Sequence, residues 1–130
     1  MNDYKTYLSI SKGSTLTFEE ACEILDEMNE CYEKIAADDK ADFYKEILEK
    51  AFKYTEIRCS WELMTGEERA EKDPYRTSVH NGFITSLNVL SRHAELEGID
   101  ASWLGKLGDA RKRIGDFACF LTYINGMSNR

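Results

Sequence analysis

Thr77 to Ser91 reads TSVHNGFITSLNVLS, fifteen consecutive positions without Asp, Glu, Lys or Arg in a chain whose residues are 32% charged. An exposed helix of an acidic protein normally shows a charge every few residues, so a long uncharged helical stretch is expected to be covered on several sides. At helical spacing it divides into three rows. Val79, Phe83, Leu87 and Leu90 form an apolar seam; Ser78, Gly82 and Ser86 form a small-residue row; Asn81, Thr85 and Asn88 form a polar row continued by Arg92.

Outward from this stretch, Asp73-Pro74 reads as an N-cap followed by proline at the first helical position, where its missing N–H costs nothing. Gly98 followed by Ile99 reads as a C′ glycine, so the spacing predicts a helix over 74–97. Upstream, Thr65-Gly66-Glu67-Glu68 is a capping-box pattern, taken as one short turn within a nine-residue connection. Phe43, Tyr44, Ile47, Leu48, Ala51, Tyr54, Arg58 and Trp61 mark a stripe that predicts a helix over 39–64. Thr17-Phe18-Glu19-Glu20, another capping box, opens a helix over 17–37 with Phe18, Ala21, Leu25, Met28, Tyr32 and Ile35 on one face.

Downstream, Asp100 is placed to cap a helix over 100–125, with Trp103, Leu107, Ala110, Ile114, Phe117, Leu121 and Ile124 in a heptad-like seam. Near-continuity is the preferred reading; a break at Gly108-Asp109 is the alternative. Residues 1–16, with Tyr4, Tyr7, Leu8 and Ile10, read as an N-terminal arm packed on the rest. The fold class expected is all-α: an antiparallel four-helix bundle, residues 17–130, in which the helix holding Thr77–Ser91 is the best covered.

Composition agrees with helices and narrows function. A single proline among 130 residues and no Val/Ile/Thr alternation disfavour sheets. Cys22, Cys31, Cys59 and Cys119 contain no CxxC pair, and the N-terminus lacks the pattern of a signal peptide, so a reducing, cytoplasmic location is expected. No apolar run approaches the roughly 20 residues of a membrane span. Residues 1–73 carry 19 acidic and 10 basic side chains, a net −9, and residues 74–130 carry 5 and 7, a net +2. That balance argues against a nucleic-acid partner, which needs a basic surface.

The metal and catalytic templates are not met. A di-iron bundle needs Glu-x-x-His, but Thr77 precedes His80 by three and Leu90 precedes His93 by three. No HExxH, phosphate loop or GxSxG is present, so no cofactor is expected and catalysis has no positive support in the sequence, an enzyme being the third reading behind a binding protein. One constellation emerges from helical phase. Arg58 and Arg76 fall inside the stripes of two successive antiparallel helices, with His80 flanking, beside Tyr54, Trp61 and Tyr75. Inward cations need partners, and no acidic residue lies on the core stripes of the other helices. Arg58, Arg76 and His80 are therefore the candidate ligand-binding residues, for a small anion or nucleotide. The plainer reading lays the arginine stems on apolar surface and makes His80 a hydrogen-bonded core residue.

Arg111-Lys112-Arg113 is the one basic triplet; Arg113 is in reach of Asp109 or Asp116, and Arg111 and Lys112 are candidates for phosphate contact. Phe120 and Tyr123 lie off the seam and give their helix a second apolar face, expected to meet the N-terminal arm or a second subunit.

The segments RTSVHNGFITSLNVLSRHAE and RKRIGDFACFLTYINGMSNR resemble small uncharacterised proteins of Gram-positive bacteria and their mobile elements, grouped as a domain of unknown function. The resemblance covers residues 74–130 and implies no activity. The sequence thus leads to a noncatalytic interaction or regulatory protein acting on a protein partner, itself included as a homodimer, with an anion-binding bundle as the alternative.

Overall fold

A computed structural model describes residues 16–108 and 110–126. The expected arm, apart from its last residue Leu16, and any pairing by Asp109 lie outside the described residues. Among the described residues the chain is all-α, with five helices: α1 (Phe18–Lys34), α2 (Lys40–Trp61), α3 (Gly66–Leu96), α4 (Trp103–Leu107) and α5 (Arg111–Ile124).

The first capping box forms as the sequence predicts. Thr17 Oγ1 accepts from Glu20 N at 3.1 Å, and Glu20 Oε1 accepts from Thr17 N at 3.2 Å. The buried face of α1 is Ala21, Ile24, Met28 and Cys31. This is a stripe of three–four spacing turned by about one position from the expected one, which leaves Phe18 45% exposed. The helix stops at Lys34, before the expected 37, because Ile35 turns extended and buries its side chain.

The second box does more than predicted. Thr65 Oγ1 accepts from Glu68 N at 3.1 Å and Glu68 Oε1 accepts from Thr65 N at 2.9 Å, and the helix so started runs unbroken for 31 residues, through Pro74 to Leu96. The expected start at 74 is thereby corrected. Proline lacks only its own N–H and obstructs the preceding turn, and that turn here is solvent-exposed on nearly every side. Of residues 65–75 only Arg69 is even half-buried; its Nε donates to Trp61 O at 2.9 Å and its guanidinium pairs with Glu62 at 3.6 Å. At the other end, Gly98 adopts φ +76°, its N–H reaches Glu95 O and that of Ile99 reaches Ala94 O at 2.9 Å, the Schellman stop expected there.

The near-continuous helix preferred over 100–125 is two helices, as in the alternative reading with a break at Gly108-Asp109. Gly108, at φ +78°, ends α4, and the chain turns before Arg111. Arg113 seals the break: its Nε donates to Leu107 O at 2.9 Å and Nη2 to Lys106 O at 3.0 Å, satisfying the last carbonyls of α4, while Nη1 pairs with Glu20 at 3.5 Å. Arg113 therefore joins α1, α4 and α5. Lys106, at 2.6 Å from Glu27, adds a second tie between α4 and α1.

Pairings fix how the long helices run. Phe43 meets His93, Tyr54 meets His80 and Trp61 meets Arg76, so α2 and α3 are antiparallel. Thr55 meets Thr122 at 3.0 Å and Arg58 meets Asp116 at 3.8 Å, so α2 and α5 are antiparallel as well. Beside these contacts the free thiol of Cys119 hydrogen-bonds with that of Cys59; this hydrogen bond and burial push the Cys119 thiol far above the ordinary range. With α3 on one side and α5 on the other, the second half of α2 buries Tyr54, Thr55, Ile57 and Cys59.

The best-covered segment is not Thr77–Ser91 but Ile114–Thr122 of α5, nine consecutive buried residues that include Gly115 and Asp116. In α3 the apolar seam is buried, yet Ser78, Asn81, Thr85 and Asn88 are exposed and Val89 is 45% exposed. The missing charges mark an uncharged surface, not a cover on several sides.

Candidate functional site

The far end of the α2–α3 pair, where α5 begins, gathers the basic side chains that helical phase singles out. Arg58 and Tyr54 come from α2 one turn apart, Arg76 and His80 from α3 one turn apart, and Arg111 from the first position of α5. Tyr54 is wholly buried and His80 is 8% exposed. Their rings meet edge to face at 5.2 Å, and the Arg58 guanidinium stands 5.5 Å from the Tyr54 ring centre. The Arg76 guanidinium carbon stands over the Trp61 ring, 4.2 Å from its centre, a cation–π contact at close range. Arg69, 5.8 Å from the same ring, fixes Trp61 from the loop side.

Charge decides what this arrangement can do. Arg58 is 12% exposed and faces Asp116, whose side chain is fully buried. Asp116 Oδ2 also accepts from Leu16 N at 3.2 Å, so one carboxylate anchors α2, α5 and the chain leading into α1. No acidic residue lies on the expected core stripes, yet an acidic side chain is inside. Asp116 sits off the expected seam, but α5 is buried nearly all round, so an off-seam position is also an inside one. Arg58 is thus served largely from within the protein.

Arg76 and Arg111 pair with no carboxylate among the described residues, and Arg76 Nε is buried without a hydrogen-bond partner there. The N-terminal turn of α5 adds to the field: Ala110 provides no side-chain cap, no acidic residue occupies the turn, and Arg111, Lys112 and Arg113 stand at the positive end of the helix. The cluster thus combines three guanidinium groups and one carboxylate.

The titrating groups register this field. Burial pushes the His80 imidazole below its ordinary value, and the charges of Arg111, Arg58 and Arg76 push the same way, against a hydrogen bond with Asn81. Burial pushes the Tyr54 phenol above the usual tyrosine range, with the charges of Arg58, Arg111 and Arg76 opposing it. His80 Nδ1 lies 3.3 Å from Asn81 Oδ1, while its Nε2 has no hydrogen-bond partner among the described residues. The environment therefore favours the neutral ring.

The structure thus brings together Arg58, Arg76 and His80 as the sequence proposes, and adds Arg111 from the basic triplet. Tyr75 is left out, 49% exposed on the outward side of α3. Phe120 is buried within the chain, 5.4 Å from the Phe18 ring and stacked at 6.2 Å on Phe117, and Tyr123 is half-buried. Clefts elsewhere include one of ≈ 460 Å³ between α2 and α3 beside Phe43, Lys50, Thr85 and Val89, and one of ≈ 620 Å³ among α3, α4 and α5 beside Asn88, Ser91, Leu104 and Gly108. Among the described residues no group of three or more His, Cys, Asp or Glu side chains is placed to hold a metal ion, and no helix is long and apolar enough to cross a membrane.

Comparison with protein-family models, with curated proteins and with solved structures finds no match to this chain in any of the three.

Proposed function

We propose that this chain is a noncatalytic, cytoplasmic regulatory protein that binds a small oxyanion among Arg58, Arg76, His80 and Arg111. The observation that carries the reading is Arg76: a half-buried guanidinium with an unpartnered Nε, set on Trp61 beside two further arginines and only one carboxylate. A buried donor left unsatisfied costs about 1–3 kcal/mol. A bound anion removes that cost and relieves the mutual repulsion of the arginines. In the same reading, α4 and α5 share the fourth position of an antiparallel four-helix bundle.

Thermal unfolding of the full chain in phosphate, against chloride at matched ionic strength, tests the proposal. At a phosphate concentration 100 times the dissociation constant the gain is about 2.7 kcal/mol, and Arg76→Gln removes it. An unchanged midpoint at every phosphate concentration refutes the reading.

A second reading, interaction with another copy of this chain, is favoured by the uncharged outer face of α3, where Asn81, Thr85, Asn88 and Val89 are exposed beside the cleft against α2. A solution mass measurement across a range of concentrations decides it: a strictly monomeric protein removes this reading.

A further inference from the structure

Resting on the anion reading, we propose that the site selects a phosphoryl group that still carries a proton, and that His80 is the residue that selects it. Guanidinium groups only donate hydrogen bonds. Arg58, Arg76 and Arg111 therefore recognise acceptor oxygens and discriminate poorly between phosphate and sulfate, which present similar tetrahedra of them. His80 supplies what they lack. Asn81 Oδ1 only accepts and lies 3.3 Å from Nδ1, so the tautomer that completes this hydrogen bond is the one with its hydrogen on Nδ1. In the neutral ring, which burial and the three neighbouring arginines favour, Nε2 is then a bare lone pair.

That lone pair sits on a side chain only 8% exposed and has no donor among the described residues. A bare acceptor beside a group of donors asks for a ligand with both characters: oxygens for the arginines and one hydroxyl for His80. Inorganic phosphate and phosphate monoesters can present a P–OH at neutral pH, since their second ionisation falls near it; for a monoester, with a pKa of about 6, about a tenth of the molecules carry that proton at pH 7 and binding draws on this fraction. Sulfate, carboxylates and phosphodiesters are fully ionised and carry no such donor. Against Nε2 they set an oxygen lone pair, which repels. Asn81 is a positioning residue in this scheme, because its amide fixes which ring nitrogen is bare.

Calorimetric titration of the full chain at pH 7 and constant ionic strength, with inorganic phosphate, methyl phosphate, dimethyl phosphate and sulfate, tests the assignment. Phosphate is expected to bind at least about tenfold more tightly than sulfate and dimethyl phosphate, the discrimination a buried unpaired acceptor imposes. Methyl phosphate binding as phosphate does supports a monoester as the natural source, whereas phosphate binding alone supports the free ion. In His80→Phe the preference for phosphate over sulfate is expected to fall within about threefold while sulfate affinity is kept. Equal binding of phosphate and sulfate to the unsubstituted chain overturns the role of His80 and leaves the anion reading standing; absence of binding by all four overturns both. Because the ligand series on the unsubstituted chain is decisive alone, a His80→Phe variant that fails to fold does not shield the proposal.

Discussion

Replacing Asp116 by alanine removes a buried carboxylate that faces Arg58 and accepts from Leu16 N–H. Breaking a buried ion pair from one side costs about 3–5 kcal/mol, because the surviving charge stays desolvated. The 3.8 Å separation and the 12% exposure of Arg58 place this pair at the lower end. The orphaned amide adds about 1 kcal/mol, for a total of about 4 kcal/mol. With an unfolding entropy of about 2.1 cal/mol/K per residue, a chain of 130 residues should lose about 15 °C in midpoint. Urea unfolding followed by helical circular dichroism, together with calorimetry, gives both quantities. The companion variant Arg58→Met/Asp116→Leu replaces the pair by apolar groups and should recover most of the loss, since a hydrophobic pair of similar volume avoids the desolvation of both ions. A loss below about 1 kcal/mol in Asp116→Ala, or a double variant as unstable as the single one, would show that the pair is effectively solvated and that the electrostatic account of the site is wrong. The single variant should also draw more stabilisation from phosphate than the unsubstituted chain does, since the charge opposing the arginines is gone.

Other expectations follow from the same geometry. A Cβ at Gly115 would overlap the Arg58 guanidinium, whereas one at Gly105 meets nothing. Gly115→Ala should therefore destabilise despite a helix-propensity gain of about 1 kcal/mol, and Gly105→Ala should stabilise by about 0.5–1 kcal/mol; denaturant midpoints that rank them the other way contradict the packing described. Because burial and the arginines lower the His80 pKa in the folded state, the unfolded chain takes up the proton first. Stability should fall as pH drops below the unfolded value of about 6.5, and the slope between pH 6.5 and the onset of carboxylate titration should shrink in His80→Phe. Of the four cysteines only Cys22 is part-exposed, and burial with the nearby Asp26 and Glu19 raises its thiol pKa. A disulfide-exchange reagent should modify Cys22 alone and slowly in the native protein, and reach Cys31, Cys59 and Cys119 only with denaturant; mass mapping that finds Cys119 modified natively contradicts its burial.

Local signals in this sequence are reliable where one residue type has one physical meaning. Both capping boxes, at Thr17 and Thr65, and the Gly98 stop are legible because each satisfies specific backbone groups within a few residues. Pro74 misleads because proline is equally at home at the start of a helix and in an exposed turn that tolerates one missing bond. The break at Gly108 depends on φ +78°, which a glycine permits but does not announce. The candidate site is legible in part: helical phase brings Arg58, Arg76 and His80 to one end, but the contribution of Arg111 and the burial of Asp116 depend on how α5 turns after the break, a long-range outcome that no local pattern encodes. The uncharged surface of α3 marks a further limit, since the absence of charge does not distinguish a covered face from an exposed neutral one.

The contact between α2 and α5 alternates apolar packing with rungs that are not apolar: Thr55 with Thr122, Cys59 with Cys119, Arg58 with Asp116. Apolar side chains tolerate a partner displaced by a helical turn; these rungs do not. A slide of about 5.4 Å, one turn, strands a hydroxyl and two opposite charges in a dry seam. The two helices are therefore keyed as well as glued, and apolar residues between the rungs are free to exchange volume without the joint losing its place. The slot that Gly115 leaves open for Arg58 is part of the key, which makes the position of this half-buried arginine a consequence of how the core is aligned.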